Sequence, residues 1–297
     1  VLTACVVAVL FARRNARLGR TDPRGARTVA LYILVLRMVT WLLGPGHSTT
    51  FAVELDSFWA AALYAVFASA SLYFFYLALE PYVRRQWPEM LVSWNRLVSG
   101  RFRDPRIGRD VLIGTLGGVS LALIRSVGVL LVSKLSGQPL AIAGAVEQPP
   151  NVLLGGGFLA AEFLGCQQWS LNFWFYFLSI LVLFTSLVRR QWLAGGLLAV
   201  LFGGMIGLNL GSFAIWVCGT VFTGLAAYIL IRWGLISALV AGFSFFLLLH
   251  FPITIDFSAW YLRSSLFALG FVAAMGAYGL HGAVAGRPLI ADRLARN

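Results

Sequence analysis

The sequence predicts an all-α fold, a polytopic transmembrane helical bundle with about eight full spans and one truncated span at the N-terminus. Three observations lead there. Of 297 residues, 60% are hydrophobic and only 11% charged, where a soluble domain carries about 25% charged residues. Apolar runs of about 18 residues or more recur along the chain, the length needed to cross a hydrocarbon core about 30 Å thick. These runs are continuous rather than alternating, which excludes a membrane barrel, and lipid leaves unpaired backbone unsatisfied, which selects helices.

Taken in order, the spans are expected at 1–12, 28–46, 57–79, 111–133, 171–188, 192–210, 212–231, 233–251 and 259–284. The opening run VLTACVVAVLFA stops at Arg13 and Arg14, too short to cross. It lacks the basic start and small-residue cleavage site of a signal peptide. The expectation is therefore a fragment, a C-terminal region of a longer protein whose first helix has been cut. Residues 1–297 read as a single transmembrane domain.

The formal charge of +12 comes from 23 basic and 11 acidic residues. In a soluble protein it would suggest nucleic acid; here the arginines sit between spans and set topology, so no nucleic-acid partner is expected. Six basic residues fall in 13–27, seven in 80–110, two at Arg189 and Arg190, one at Arg232 and three after residue 284. One orientation places all of these in the cytoplasm, and the opposite one reverses the bias, so the positive-inside rule puts the 80–110 loop and the C-terminus inside. Outer connections then hold Glu54, Asp56, Glu147 and Asp256.

The 80–110 loop, EPYVRRQWPEMLVSWNRLVSGRFRDPRIGRD, is a cytoplasmic basic amphipathic segment. Pro88 suits the first turn of a helix and Gly100 its end. Leu91, Trp94 and Val98 recur on one face, with Trp87 leading it. That pattern predicts an interfacial helix near 88–99 with its tryptophans at the inner headgroups. Arg84, Arg85, Arg101, Arg103, Arg106 and Arg109 would face anionic lipid, or dock a cytoplasmic domain. Between 134 and 170, the run LLGGGFLAAEFLG at 153–165 is too short to span and is broken by glycines, which predicts a re-entrant or interfacial segment.

Two spans carry small residues every fourth position: Gly195, Ala199, Gly203 and Gly207, with Gly211 beyond, and Gly114, Gly118, Ala122 and Ser126. Such strips let helix backbones approach closely in lipid; packing within the bundle and homodimerisation both use them. Arg37 and Arg125 lie inside spans, where a charge costs about 2.5–3.5 kcal/mol on insertion scales. Each calls for a partner or a snorkelling route, with Glu162, Asp256, Glu54 and Asp56 as candidates for Arg125; a ligand site is the other reading of both.

Catalytic, metal and cofactor signatures are not found. Cys5, Cys166 and Cys218 form no CxxC pair. His47, His250 and His281 lack a second ligand at helical spacing, and Glu162 lacks the adjacent glutamate of intramembrane proteases. HExxH and GxSxG are absent, as is any repeat of the kind that marks transporter halves.

With these residues in view, the chain resembles the C-terminal multi-pass membrane region of bacterial, acidobacterial-type serine/threonine protein kinases. The matching pieces are ARRNARLGRTDPRGA at 12–26, LALEPYVRRQWPEMLVSWNRL at 77–97, GRFRDPRIGRDVLIG at 100–114 and GRPLIAD at 286–292. The resemblance implies a bacterial inner-membrane location and an upstream cytoplasmic kinase domain, with the membrane part sensing or anchoring. The chain itself lacks the kinase glycine-rich loop, strand lysine, catalytic loop and magnesium motif. Given the topology, an odd number of further crossings would separate such a domain from the first span. The expected function is a non-catalytic sensor or anchor module; the alternative is a stand-alone small-solute transporter or membrane enzyme.

Overall fold

The computed structural model describes residues 2–19, 21–98, 100, 104–136, 151–209 and 213–284. Arg101, Arg103, Gly211 and the basic C-terminal tail lie outside the described residues. The chain runs α1 (Leu2–Arg17), α2 (Pro23–Leu43), α3 (Phe51–Gln86), a 3-10 turn (Pro88–Leu91), α4 (Val92–Val98), α5 (Pro105–Ser136), a 3-10 turn (Asn151–Leu153), α6 (Gly156–Val188), α7 (Gln191–Asn209), α8 (Phe213–Trp233), α9 (Leu235–His250) and α10 (Leu262–Val284). No strand occurs among the described residues. Six helices, α2, α3, α5, α6, α8 and α10, are long and apolar enough to cross a membrane, and the helical parts of α7 and α9 are shorter apolar candidates. This is the make-up of a multi-pass membrane protein.

Three helices, α3, α5 and α6, outrun their predicted spans by nine residues or more. With 36 residues, α3 is about 54 Å long at 1.5 Å per residue, well beyond the hydrocarbon core. It carries Pro81 inside it. A proline supplies no N–H, which frees the carbonyl four residues back, and that carbonyl belongs to Leu77. The Asn15 side chain of α1 donates to Leu77 O at 3.2 Å and to Ala78 O at 3.1 Å. The helix therefore continues where sequence reading stopped it at 79.

At 153–165 the expected re-entrant element is replaced by the start of a continuous helix of 33 residues. Gly155 is the break, with φ 148°, and Gly156 and Gly157 enter the first turn of α6. Beyond them the run is apolar and unbroken, so nothing stops propagation into 171–188.

Both α2 and α5 start alike. Asp22 caps α2, accepting from the Arg24 and Gly25 amides at 3.1 Å each. Asp104 accepts from the Arg106 amide at 2.9 Å ahead of α5. Each is followed by proline at the first helical position, where its missing N–H costs nothing.

Within the bundle, α9 is the central strut. It packs on α5, α6, α8 and α10, and Ser237, Ala238, Ala241, Ser244 and Leu247 have no exposed surface. A helix apolar all round belongs inside. Close approach depends on its small residues: a Cβ on Gly242 would lie 2.6 Å from Ser170 Oγ, against the fully buried Trp174 of α6. Through α6 the central pair reaches α2 and α3, and α3 carries α1.

Candidate functional site

The helices alternate in direction and gather charge at two ends. Several contacts define one end. Asn15 meets Leu77, Gly234 lies against Met90, Gly108 against Gly282, and Gly195 against Ala227. Arg13, Arg14, Arg17, Arg24, Arg27, Arg84, Arg85, Arg96, Arg106, Arg109, Arg189, Arg190 and Arg232 all collect there. The opposite end holds the α2–α3 and α9–α10 turns, with Glu54, Asp56 and Asp256. Separation of charge along the chain thus becomes separation in space.

The predicted 80–110 loop is shorter than expected, because 80–86 finish α3 and 105–110 begin α5. What remains is a cap made of the 3-10 turn and α4. Its apolar face packs on protein, where the sequence predicts the inner headgroups. Trp94 is 8% exposed and Met90 6%, both inside the main core, with Trp87 half-buried against it. The Trp94 indole lies beside the Tyr76 hydroxyl of α3, and Trp87 meets Tyr82 edge to face at 5.9 Å. The same periodic face that would suit a membrane surface is used to seat the cap on protein, because the tops of α3, α5 and α9 offer apolar surface.

The arginines of the cap are held by local acids. Arg84 approaches Glu80 at 2.5 Å, with side-chain exposures of 59% and 3%. The Glu80 carboxylate has Arg84 and the Asp22 amide beside it, neither completing a well-aligned hydrogen bond. Arg96 pairs with Asp104 at 2.6 Å. Asp110, 2% exposed, takes the Ser93 hydroxyl hydrogen on one oxygen and Arg109 Nη2 at 3.1 Å on the other. Arg106 is half-buried and Arg85 exposed. The cap is thus bound to the bundle by Trp94, Ser93 and Asp104, and its outward charge comes from Arg84, Arg85, Arg109 and Arg232.

Among the intramembrane charges, Arg37 is engaged inside the chain. Its guanidinium donates to Gln168 Oε1 at 2.9 Å and lies 4.0 Å from the Tyr64 ring centroid. Nearby, the Tyr32 hydroxyl donates to Gln167. Arg125 lines a groove of about 370 Å³ with Ala122, Ser126, Phe245, Leu248 and Leu249. Glu162, a candidate partner for Arg125, contacts His250 at 2.5 Å across α6 and α9. Glu54 contacts His47 at 2.6 Å across the α2–α3 turn. That hydrogen bond holds the His47 ring above its usual pKa. In the α9–α10 turn, the Ser258 hydroxyl and amide hold the Asp256 carboxyl below its ordinary range.

The small-residue strips are used between helices of the same chain. On α7, a Cβ at Gly203 would come within 2.5 Å of the Thr220 amide nitrogen, and one at Gly195 within 3.3 Å of Ala227 Cβ, both on α8. On α5, a Cβ at Gly114 would meet Ser237 O at 2.6 Å, and one at Gly118 would meet Ser244 Cβ at 2.5 Å, both on α9. Gly207 lies in α7. Packing between helices of the chain, one of the two readings open from sequence, is seen at Gly195, Gly203, Gly114 and Gly118, while Ser126 is exposed.

Sequence reading missed the histidine–glutamate pairs and the Ser93–Asp110 bond, since each joins residues seven or more apart with no periodic signal. The helix caps at Asp22 and Asp104 had a signal in Asp-Pro. Among the described residues no group of three or more His, Cys, Asp or Glu side chains converges as a metal site. No family model, curated protein or solved structure matches this chain.

Proposed function

We propose that this chain is a non-catalytic membrane module, a sensor or anchor, like the membrane region of the kinases its motifs resemble. In this reading its basic end faces the cytoplasm at an anionic inner leaflet of a bacterial inner membrane. One observation carries the reading: the basic cap is part of the bundle. Trp94 and Asp110 are buried within it, so any shift of α3, α5 or α9 moves the arginines that a cytoplasmic domain would touch. A flexible surface loop would transmit no such shift.

The reading frame upstream of Val1 tests this proposal. An in-frame kinase domain supports it, and a start codon immediately upstream contradicts it. If the domain is present, Asp110→Asn in the full protein should leave membrane localisation intact and change autophosphorylation; unchanged autophosphorylation contradicts sensing and leaves anchoring.

A transporter is the second reading, favoured by the Arg37–Gln168–Tyr64 set within candidate spans. A charge placed among apolar helices marks function in many membrane proteins. Ion or solute flux in proteoliposomes that Arg37→Gln abolishes would support transport and displace the module.

A further inference from the structure

Among the described residues, one pair of cations at the basic end is arranged unlike the rest. Arg109, in the first turns of α5, and Arg232, in the last turn of α8, both lie over the Trp233 ring, with guanidinium carbons 5.5 Å and 5.1 Å from its centroid. Two helices thus bring two guanidinium groups to one indole. The two guanidinium carbons are therefore no more than about 10.6 Å apart, and like charges at that range are stabilised by an anion that reaches both. Asp110 does not face that position: it is buried, and its two oxygens are taken by Ser93 and by Arg109 Nε and Nη2. Its effect is to fix the Arg109 fork in one orientation. Arg109 Nη1 remains directed away from that carboxylate, and no acidic side chain pairs with Arg232 among the described residues.

Position adds the chemistry of the missing anion. Trp233 ends a candidate membrane span, the depth at which tryptophan sits among headgroups. Arg109 is 49% exposed, and Arg232 is exposed beside a half-buried Trp233. Guanidinium forks match phosphate oxygens in shape and charge. We infer that Arg109, Trp233 and Arg232 form a binding site for the phosphodiester of an anionic lipid headgroup. Arg109 and Arg232 clasp the phosphate oxygens, and the indole lies along the glycerol and upper acyl region. This rests on the basic end lying at a membrane surface, as proposed above, and deepens that reading from a general attraction to a located site.

The test uses the full chain in nanodiscs of phosphatidylcholine with and without phosphatidylglycerol, each lipid supplied in turn as a headgroup-photoactivatable analogue. Crosslinks are mapped by peptide mass spectrometry. The site predicts crosslinking of the phosphatidylglycerol analogue to peptides within 105–112 and 228–236 in excess over phosphatidylcholine. Arg232→Gln should reduce that excess about fivefold, the effect of one basic residue at an anionic surface. Arg109→Lys, which keeps the charge but loses the fork, should reduce it as well. Circular dichroism and thermal unfolding check that both variants fold. Equal crosslinking of the two lipids at these peptides overturns the site while leaving the basic end at the membrane. No lipid crosslinks there at all overturns the site and the membrane placement together. Loss of the phosphatidylglycerol crosslink on adding inorganic phosphate, with other crosslinks unchanged, assigns the site to free phosphate and overturns the lipid assignment.

Discussion

Asn15 supplies the hydrogen bond that Pro81 removes. The α1 side chain reaches the Leu77 and Ala78 carbonyls in the turn that the proline leaves open, and α3 runs on through Gln86. One residue in the basic segment after the first apolar run thereby determines where a helix more than sixty residues away ends. Replacing Asn15 by Ala should destabilise the chain by about 1–3 kcal/mol, the cost of leaving a buried acceptor unpaired. In a Pro81→Ala background, where the helix regains its own donor, the same change should cost less. Thermal unfolding in detergent gives the double-mutant cycle; strictly additive losses would contradict the pairing.

The cap is held by a buried charge. Asp110 joins Ser93 of α4 to Arg109 of α5, and hydrogen bonds to charged groups contribute about 1.5–3 kcal/mol each. Asp110→Ala should therefore raise hydrogen exchange across 88–98 and lower the unfolding temperature in detergent as well as in lipid. An effect confined to lipid would return the cap to the headgroup role that its sequence suggested.

Gly203 and Gly196 make a controlled pair on α7. A methyl at Gly203 collides with the Thr220 backbone of α8, while one at Gly196 meets nothing within 4 Å. Gly203→Ala should cost about 1–3 kcal/mol, as overpacking does. Gly196→Ala should be neutral or slightly stabilising, since alanine is the better helix former. Equal effects, read from thermal unfolding, would mean that α7 and α8 do not pack through this strip.

His47 gives the opposite end a pH dependence with a defined sign. Its pKa is raised above the ordinary value, chiefly by the hydrogen bond to Glu54. Its contribution is fully present below about pH 6.5, the unfolded value, and is lost as pH rises through the folded one. Hydrogen exchange across 44–54 should therefore increase on that rise, beyond its intrinsic base catalysis. His47→Gln should remove the excess; a variant with the same pH profile as the wild type would contradict the pairing.

Helix type was legible from apolar run length, and the ends of α7, α8 and α9 fall within two residues of the runs that predict them. The failures have particular causes. The third span is predicted to end at 79, whereas α3 runs on through Pro81, whose rescue by Asn15 is tertiary. Gly155, Gly156 and Gly157 read as an interruption, whereas only Gly155 adopts a left-handed backbone, leaving the other two to enter α6. Trp94 reads as an interfacial anchor because an amphipathic face looks the same whether lipid or protein covers it. Arg37 announced its need for a partner, but Gln168 and Tyr64 carry no charge pattern that a sequence reader could match to it.

The central claim is that the basic ends of the helices lie on one side of the membrane, facing the cytoplasm. Single cysteines placed by Arg24→Cys, Arg85→Cys, Arg190→Cys, Thr49→Cys and Asp256→Cys, in a chain lacking Cys5, Cys166 and Cys218, test it with a membrane-impermeant maleimide on intact cells. All five native positions are exposed. The account predicts that 49 and 256 label at once, and that 24, 85 and 190 label only after permeabilisation. Labelling of any of 24, 85 or 190 in intact cells, or protection of 49 and 256, would contradict it.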